Sequence, residues 1–363
     1  MKEVAIKDIC KKDSSELKQK ELLPEGKYPV FGASGIAGYL DRYHQKKEYI
    51  GIVKDGSGIG RVAFYPAESS LIGTMQYVLP KENYDIRYIG YCLQSLDLSK
   101  YKQGAAIPHI YFRDYGEQLV KVTDNWEEQH SIVSRLDSAF SHIDALKANA
   151  EKQLNEARKL FQAELTECMK PKEGWEEKKL GEVCDFEGGS QPPKSEWINH
   201  PQDGYVRMLQ IRDFTRSRNA EIEYVKISKK IRLCKADDIL IGRYGASVGK
   251  ILTGLAGAYN VAIIKSIPNE ELISKAFIKR YFEARSFQSV LFKVCASRAA
   301  QAGFSKDDIC DTPIPVPPLS EQHRIVSHLD SLSSTIRKLE ELQQKTLAEC
   351  DALKQAMLRE VFE

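Results

Sequence analysis

Hydrophobic and polar positions follow two different rhythms along this chain. In the first, short apolar runs such as Ile50 to Val53 and Ile239 to Ile241 are broken by glycine and proline, which predicts strands joined by tight turns. In the second, two stretches without internal Pro or Gly carry apolar residues at 3–4 spacing, which predicts long helices. The later stretch reads Leu329, Leu332, Ile336, Leu339, Gln343, Thr346, Cys350, Leu353, Met357. The earlier one reads Leu136, Ala139, Ile143, Leu146, Ala150, Gln153, Ala157, Leu160, Glu164.

These two stretches are copies of one element. At an offset of 193, Glu128, Gln129, His130, Ile132, Val133, Ser134, Leu136, Asp137 and Ser138 recur as Glu321, Gln322, His323, Ile325, Val326, Ser327, Leu329, Asp330 and Ser331. Each helix covers about 40 residues, or roughly 60 Å at 1.5 Å per residue. A helix of that length cannot bury its stripe on one small domain, so the copies are expected to pack on each other, antiparallel, as an intramolecular coiled coil. The expected seam residues are Leu136, Ile143, Leu146 and Leu160 with Leu329, Ile336, Leu339 and Leu353. Gln153, Glu164, Gln343 and Thr346 interrupt it, either fixing register or standing exposed.

The later helix follows a stiff lead-in with Pro313, Pro315, Pro317 and Pro318, and Ser320 is its expected N-cap. The earlier helix has instead Asn125 with Glu128, a capping-box pattern. Outside the helices, in the segment that precedes each, a weaker repeat is visible. Residues 50–61 and 239–250 both read as strand, glycine turn, base and strand, and each block ends in a small-residue loop, 103–108 and 298–303. The predicted organisation is a globular domain at 1–126, a helix at 127–173, a second globular domain at 174–318 and a helix at 319–363. The expected fold class is α+β: two β-rich domains joined by two long antiparallel coiled-coil helices, pseudo-twofold symmetric and elongated.

Composition narrows the class. With 42% apolar and 29% charged residues in 363, the chain can bury real cores, and no run is apolar enough for a membrane helix. Eight cysteines show no CxxC pair and no zinc-type spacing with histidine, so they read as reduced thiols of a cytoplasmic protein, with no disulfide framework and no metal site. Net charge is +2 overall, but the four segments carry +2, −2, +4 and −2 in order, so basic domains alternate with acidic helices.

Catalytic motifs are missing: there is no HExxH, no GxSxG, no Walker loop and no Asp/Asn/Ser-Pro-Pro-aromatic tetrapeptide of an amino-methyltransferase. His130 and His323 sit in the first turn of each helix, where capping or packing on the domains suits them better than catalysis. The glycine turns either serve positive φ or let the backbone approach DNA, with Arg61 or Lys250 reaching a phosphate. Bases interleaved with aromatics and amides suit DNA readout. The candidates are Lys27, Tyr28, Arg42, Lys46, Lys54, Arg61 and Gln103 in the first domain, and Arg207, Gln210, Arg212, Arg216, Arg243, Tyr244, Lys250, Arg298 and Gln301 in the second. A competing reading is a coiled-coil scaffold that binds only protein.

Five segments carry a family resemblance. Ile314 to Val326 resembles the lead-in to the characteristic helix of the specificity (S, HsdS) subunits of Type I restriction–modification systems, and Asp238 to Lys250 resembles the core of their target recognition domains. Tyr28 to Tyr39, and Gly188 to Pro193 with Val206 to Asp213, resemble the opening segments of two domain subtypes. The resemblance implies a non-catalytic subunit that reads a bipartite, asymmetric double-stranded DNA target with a non-specific spacer. It further implies two methyltransferase (M) subunits bringing S-adenosylmethionine, restriction (R) translocase–nuclease subunits joined through the complex, and no cofactor bound by this chain itself.

Overall fold

The computed structural model describes residues 1–104, 107–215, 221–297 and 303–363. The chain forms two compact units. One is built from Met1–Lys152 with Leu342–Glu363, the other from Gln153–Glu341. Each unit thus takes a portion of both long helices, the central helix Trp126–Cys168 and the C-terminal helix Leu319–Phe362.

The first unit is organised by an antiparallel sheet in the order Cys10–Ser14, Met75–Pro80, Tyr49–Val53, Val62–Tyr65. Tyr49–Val53 is buried at every position, as an interior strand of apolar residues should be. A three-stranded sheet of Gly35–Leu40, Tyr28–Gly32 and Ser70–Leu71 adjoins it, and Lys2–Ala5 pairs antiparallel with Leu119–Val122. The second unit repeats the main sheet in the same order: Cys184–Gly188, Ile263–Pro268, Ile239–Gly242, Ile251–Leu252. Its second sheet runs Tyr224–Lys226, Tyr205–Leu209, Gly257–Tyr259, Leu233–Cys234. The proline-rich lead-in is the strand Pro313–Val316, paired with Glu176–Lys179. It matches the pairing of Leu119–Val122, so both long helices leave an edge strand although only one has the prolines.

Each core combines the start of one long helix with the end of the other. In the first unit Ile132 and Leu136 join Leu358 and Phe362 around Ile50, Tyr88 and Ile89. In the second, Ile325 and Leu329 join Leu165 and Met169 around Ile241, Phe277 and Phe282. A repeated amide fixes each helix start. Gln129, fully buried, accepts from the Asp85 N–H and donates to the Asn83 and Thr123 carbonyls. Gln322, also fully buried, accepts from the Ser274 N–H and donates to the Leu272 and Pro317 carbonyls. Arginines of the domains reach the helices as well, Arg87 to Asp137 at 2.7 Å and Arg280 to Asp330.

Within each unit the two helices run antiparallel, as their ion pairs show. Lys147–Asp351 and Asp144–Lys354, both 2.6 Å, join them in the first unit. Arg158–Glu340 at 2.6 Å and His328–Glu164 at 3.0 Å join them in the second. Partly exposed pairs of this kind contribute about 0–1 kcal/mol each, so they select alignment more than they stabilise.

The expected seam needs correction. Leu136, Ile143 and Leu329 are buried and Ile336 and Leu339 half-buried, but Leu146, Leu160 and Leu353 are 57%, 71% and 51% exposed. Past Ile143 Ala150 and Ala157 keep their inward places, but Leu146, Gln153, Leu160 and Glu164 give way by one residue to Lys147, Leu154, Phe161 and Leu165; past Cys350 the same step leads to Lys354 and Leu358. A 3.6-residue helix drifts off a strict 3.5-residue stripe, and an extra four-residue step restores its phase. Ser320 is not the N-cap either. The helix begins at Leu319, with the Pro318 carbonyl accepting from the Glu321 and Gln322 N–H groups. Asn125 does cap the central helix, its Oδ1 accepting from the Glu127 and Glu128 N–H groups. We expect Leu136→Ala or Leu329→Ala to cost about 2–5 kcal/mol in denaturant unfolding. Leu146→Lys and Leu160→Lys should unfold with wild-type midpoints; equal losses at all four would restore the strict heptad.

Candidate nucleic-acid interface

The glycine turns close in the same way in both units. In the first, the Gly60 N–H donates to the Val53 carbonyl and the Val53 N–H to the Arg61 carbonyl; in the second, Gly249 donates to Gly242 and Gly242 to Lys250. Lys54 and Arg243 follow the first strand, Arg61 and Lys250 precede the second. Gly60 and Gly249 have φ of +82° and +77°, and a Cβ on either would collide, 2.8 Å from the Ser99 nitrogen or 2.3 Å from Gln288 Oε1. The reading of these segments as positive-φ turns is therefore what the backbone shows.

Each turn is held by described residues at the edge of, or just past, the small-residue loop of its own unit. Asp55 bridges to His109, whose Nδ1 lies 2.7 Å from Asp55 Oδ1. Gln103 exchanges backbone bonds with His109 and donates its side chain to Asp114 at 2.8 Å. In the second unit Tyr244 bridges to Gly303, and Arg243 Nε donates to the Phe304 carbonyl at 3.0 Å while its guanidinium lies over the Tyr244 ring. The structure thus brings Lys54, Arg61 and Gln103 to one edge of the first unit, and Arg243 and Tyr244 to the matching edge of the second, with Lys250 exposed nearby. Arg61 also donates to the Ala33 carbonyl at 2.6 Å, which ties this edge to the turn between Tyr28–Gly32 and Gly35–Leu40. On that sheet Lys27 lies 4.8 Å over the Tyr28 ring and Tyr28 packs edge-on against Tyr43. Arg42 and Lys46 are exposed and make no ion pair among the described residues.

Arg207, Gln210 and Arg212 gather around two acids that sequence reasoning passed over. Arg207 pairs with Asp213 at 2.8 Å, Arg212 with Glu223 at 2.6 Å, and Gln210 donates to Glu223 at 3.0 Å; Lys194 also pairs with Glu223. Burial pushes the Glu223 carboxyl up, but Lys194, Gln210 and Arg212 outweigh it and hold the group below the usual range. Three bases against two acids leave a cluster of small positive charge whose arginines are oriented rather than free. Asp213 was visible beside the arginines; Glu223 could be linked to them only through the fold. Arg216, Arg298 and Gln301 lie outside the described residues.

His130 is exposed and packs on Trp126 at 5.6 Å, and His323 is exposed, so neither packs against its domain as expected. None of the eight cysteines is joined in a disulfide. Burial pushes the Cys10 and Cys184 thiols up to about 12 and Cys234 up to about 11, which keeps them protonated. No helix among the described residues is long and apolar enough to cross a membrane.

Comparison with known proteins fits this duplicated architecture. The chain is 24% identical over 268 residues to the specificity subunit of the Type I restriction enzyme EcoR124I/EcoR124II of Escherichia coli, covering 70% of this chain and 65% of that protein. It is 25% identical over 194 residues to the specificity subunit of the Type I restriction enzyme MjaVIII of Methanocaldococcus jannaschii, covering 53% of this chain and 44% of that protein. The chain thus spans under two thirds of the length of either curated relative. Its fold is shared with a chain solved in work on complex assembly and conformational transition of the type I R-M system, at TM-score 0.74 and 18% identity, covering 98% of this chain and 96% of that one. It is shared also with the HsdS subunit of Thermoanaerobacter tengcongensis, at TM-score 0.53 and 19% identity, covering 98% and 95%. The family model described as Type I restriction modification DNA specificity domain matches residues 1–156 and 172–348, nearly the whole length in two copies, and the chain belongs to that family.

Proposed function

We propose that this chain is a non-catalytic recognition subunit whose two units read the two unlike halves of a bipartite DNA target. The observation that carries this reading is the repeated, clasped glycine turn with bases at matching positions. It is set in two units whose remaining bases and aromatics differ. Like frames with unlike side chains suit two half-sites of different sequence. The oriented Arg207 and Arg212 are suited to base edges, since a guanidinium held in plane pays less entropy on binding a guanine. Exposed Arg42, Lys46 and Lys250 suit phosphates.

The long helices would serve two methyltransferase subunits as a docking surface, with S-adenosylmethionine carried by those subunits and restriction subunits joining the same cytoplasmic complex. Exposed Leu146, Leu160 and Leu353 support that role, because apolar side chains turned outward along a helix are suited to a partner. Methylome sequencing of cells with and without the system tests the whole reading. A split methylated motif that depends on this chain is expected; its absence beside active partner subunits would refute the proposal. Within that assay Arg243→Ala should lower methylation of the target by about tenfold, the scale of one good base or phosphate contact. An unchanged rate would remove Arg243 from the interface.

A further inference from the structure

Where the end of the central helix meets the start of the C-terminal helix, three donor side chains converge: Glu164, Cys168 and His328. Their ligating atoms all lie within 4.8 Å of one another, with Glu164 Oε1 3.0 Å from His328 Nε2 and 3.6 Å from Cys168 Sγ. A tetrahedral zinc-class ion holds N, O and S donors at about 2.0–2.3 Å, which places them roughly 3.3–3.8 Å apart. The three atoms therefore already stand close to the corners such an ion needs. We propose that Glu164, Cys168 and His328 form a zinc-class metal site that clips the two long helices together in the second unit.

Local structure supports this from each side. Glu164 and Cys168 are four residues apart, so they share one face of the central helix, and both belong to the helix that Leu165 anchors in the core. His328 precedes Leu329, which anchors the C-terminal helix in the same core. The donors are thus mounted on two packed backbones rather than on loops. Cys168 is only 8% exposed, which shields a thiolate, while the partly exposed carboxylate and imidazole leave a fourth corner for water. Among the described residues Glu164 has no Lys or Arg partner, and Arg324 one turn from His328 is engaged in two bonds to Glu321. Thiolate and carboxylate together carry two negative charges, which a divalent ion neutralises on displacing the thiol proton to solvent. Sulfur with imidazole selects zinc, or cobalt as its tetrahedral surrogate, over magnesium and calcium.

Cobalt titration of the untagged, chelator-treated full chain tests the site. We expect one equivalent of Co2+ to produce a thiolate-to-cobalt charge-transfer band with tetrahedral d–d bands, Zn2+ to abolish them by competition, and Zn2+ to raise the melting temperature. Cys168→Ser should lose the charge-transfer band. Glu164→Gln and His328→Gln should weaken cobalt binding by at least about tenfold, since even the outer partners of a ligand carry 10–100-fold. The two glutamine variants change only partly exposed side chains and keep the test decisive if Cys168→Ser folds poorly. Absence of the band in the wild-type chain, or its survival at full strength in Glu164→Gln and His328→Gln, would overturn the proposal.

Discussion

Replacing Gln322 by Ala is expected to destabilise the second unit by about 2–4 kcal/mol, a large effect for one uncharged side chain. The amide sits with no exposed surface and serves three backbone groups at once: the Ser274 N–H at 2.8 Å and the Leu272 and Pro317 carbonyls, each at 2.9 Å. Each buried group left without a partner costs about 1–3 kcal/mol, reduced where water enters the space. Gln322→Glu keeps the size but cannot donate to the two carbonyls, so it should lose nearly as much at neutral pH. Gln129, with the same three-way role in the first unit, should behave alike. Urea unfolding of the full chain, set against an exposed control such as Gln355→Ala, checks this. A wild-type midpoint for both Gln322 variants would show that the amide is not what holds the helix start.

The second large effect concerns sequence preference. Exchanging residues 174–318 for the corresponding domain of another family member should replace one half of the methylated motif and leave the other half intact. The physical ground is that each unit has its own buried core and its own clasped turn. The donor domain must still accept Ile325 and Leu329 from the C-terminal helix and Leu165 from the central helix, all fully or almost fully buried. Methylome sequencing of cells carrying the hybrid reads the outcome. A change in both halves would mean that the units do not read independently.

Much of this architecture could be read from the chain alone, because repetition made it visible. The offset of 193 exposed two helices, and it also flagged Gln129 with Gln322 and Asp137 with Asp330 before their bonds were known. The glycine turns were legible because positive φ leaves a compositional mark. Alternate seam positions beyond Ile143 and Cys350 were not legible, since a stripe of leucines at 3.5-residue spacing and a helix of 3.6 residues per turn part company over several turns. Leu146, Leu160 and Leu353 therefore look inward on paper and face outward in the fold. Glu223 was hidden for another reason. Its partners Lys194, Gln210 and Arg212 come from separate segments, and only the pairing of Tyr205–Leu209 with Tyr224–Lys226 brings them together.

Lys147 and Arg158 are both basic and both belong to the central helix, while their counterparts by the repeat, Glu340 and Asp351, are both acidic and belong to the C-terminal helix. If a C-terminal helix met a second copy of itself in the same alignment, Glu340 would oppose Asp351 and Arg337 would oppose Lys354. Like charges at such positions repel by about as much as opposite ones attract. The two arms share one frame, and their opposite signs at these positions make them distinguishable. A gene divided between the repeats would accordingly yield a C-terminal fragment that seeks the other fragment rather than its own kind, which co-purification of differently tagged fragments would reveal. The molecule carries, in four side chains, a record of which half belongs with which.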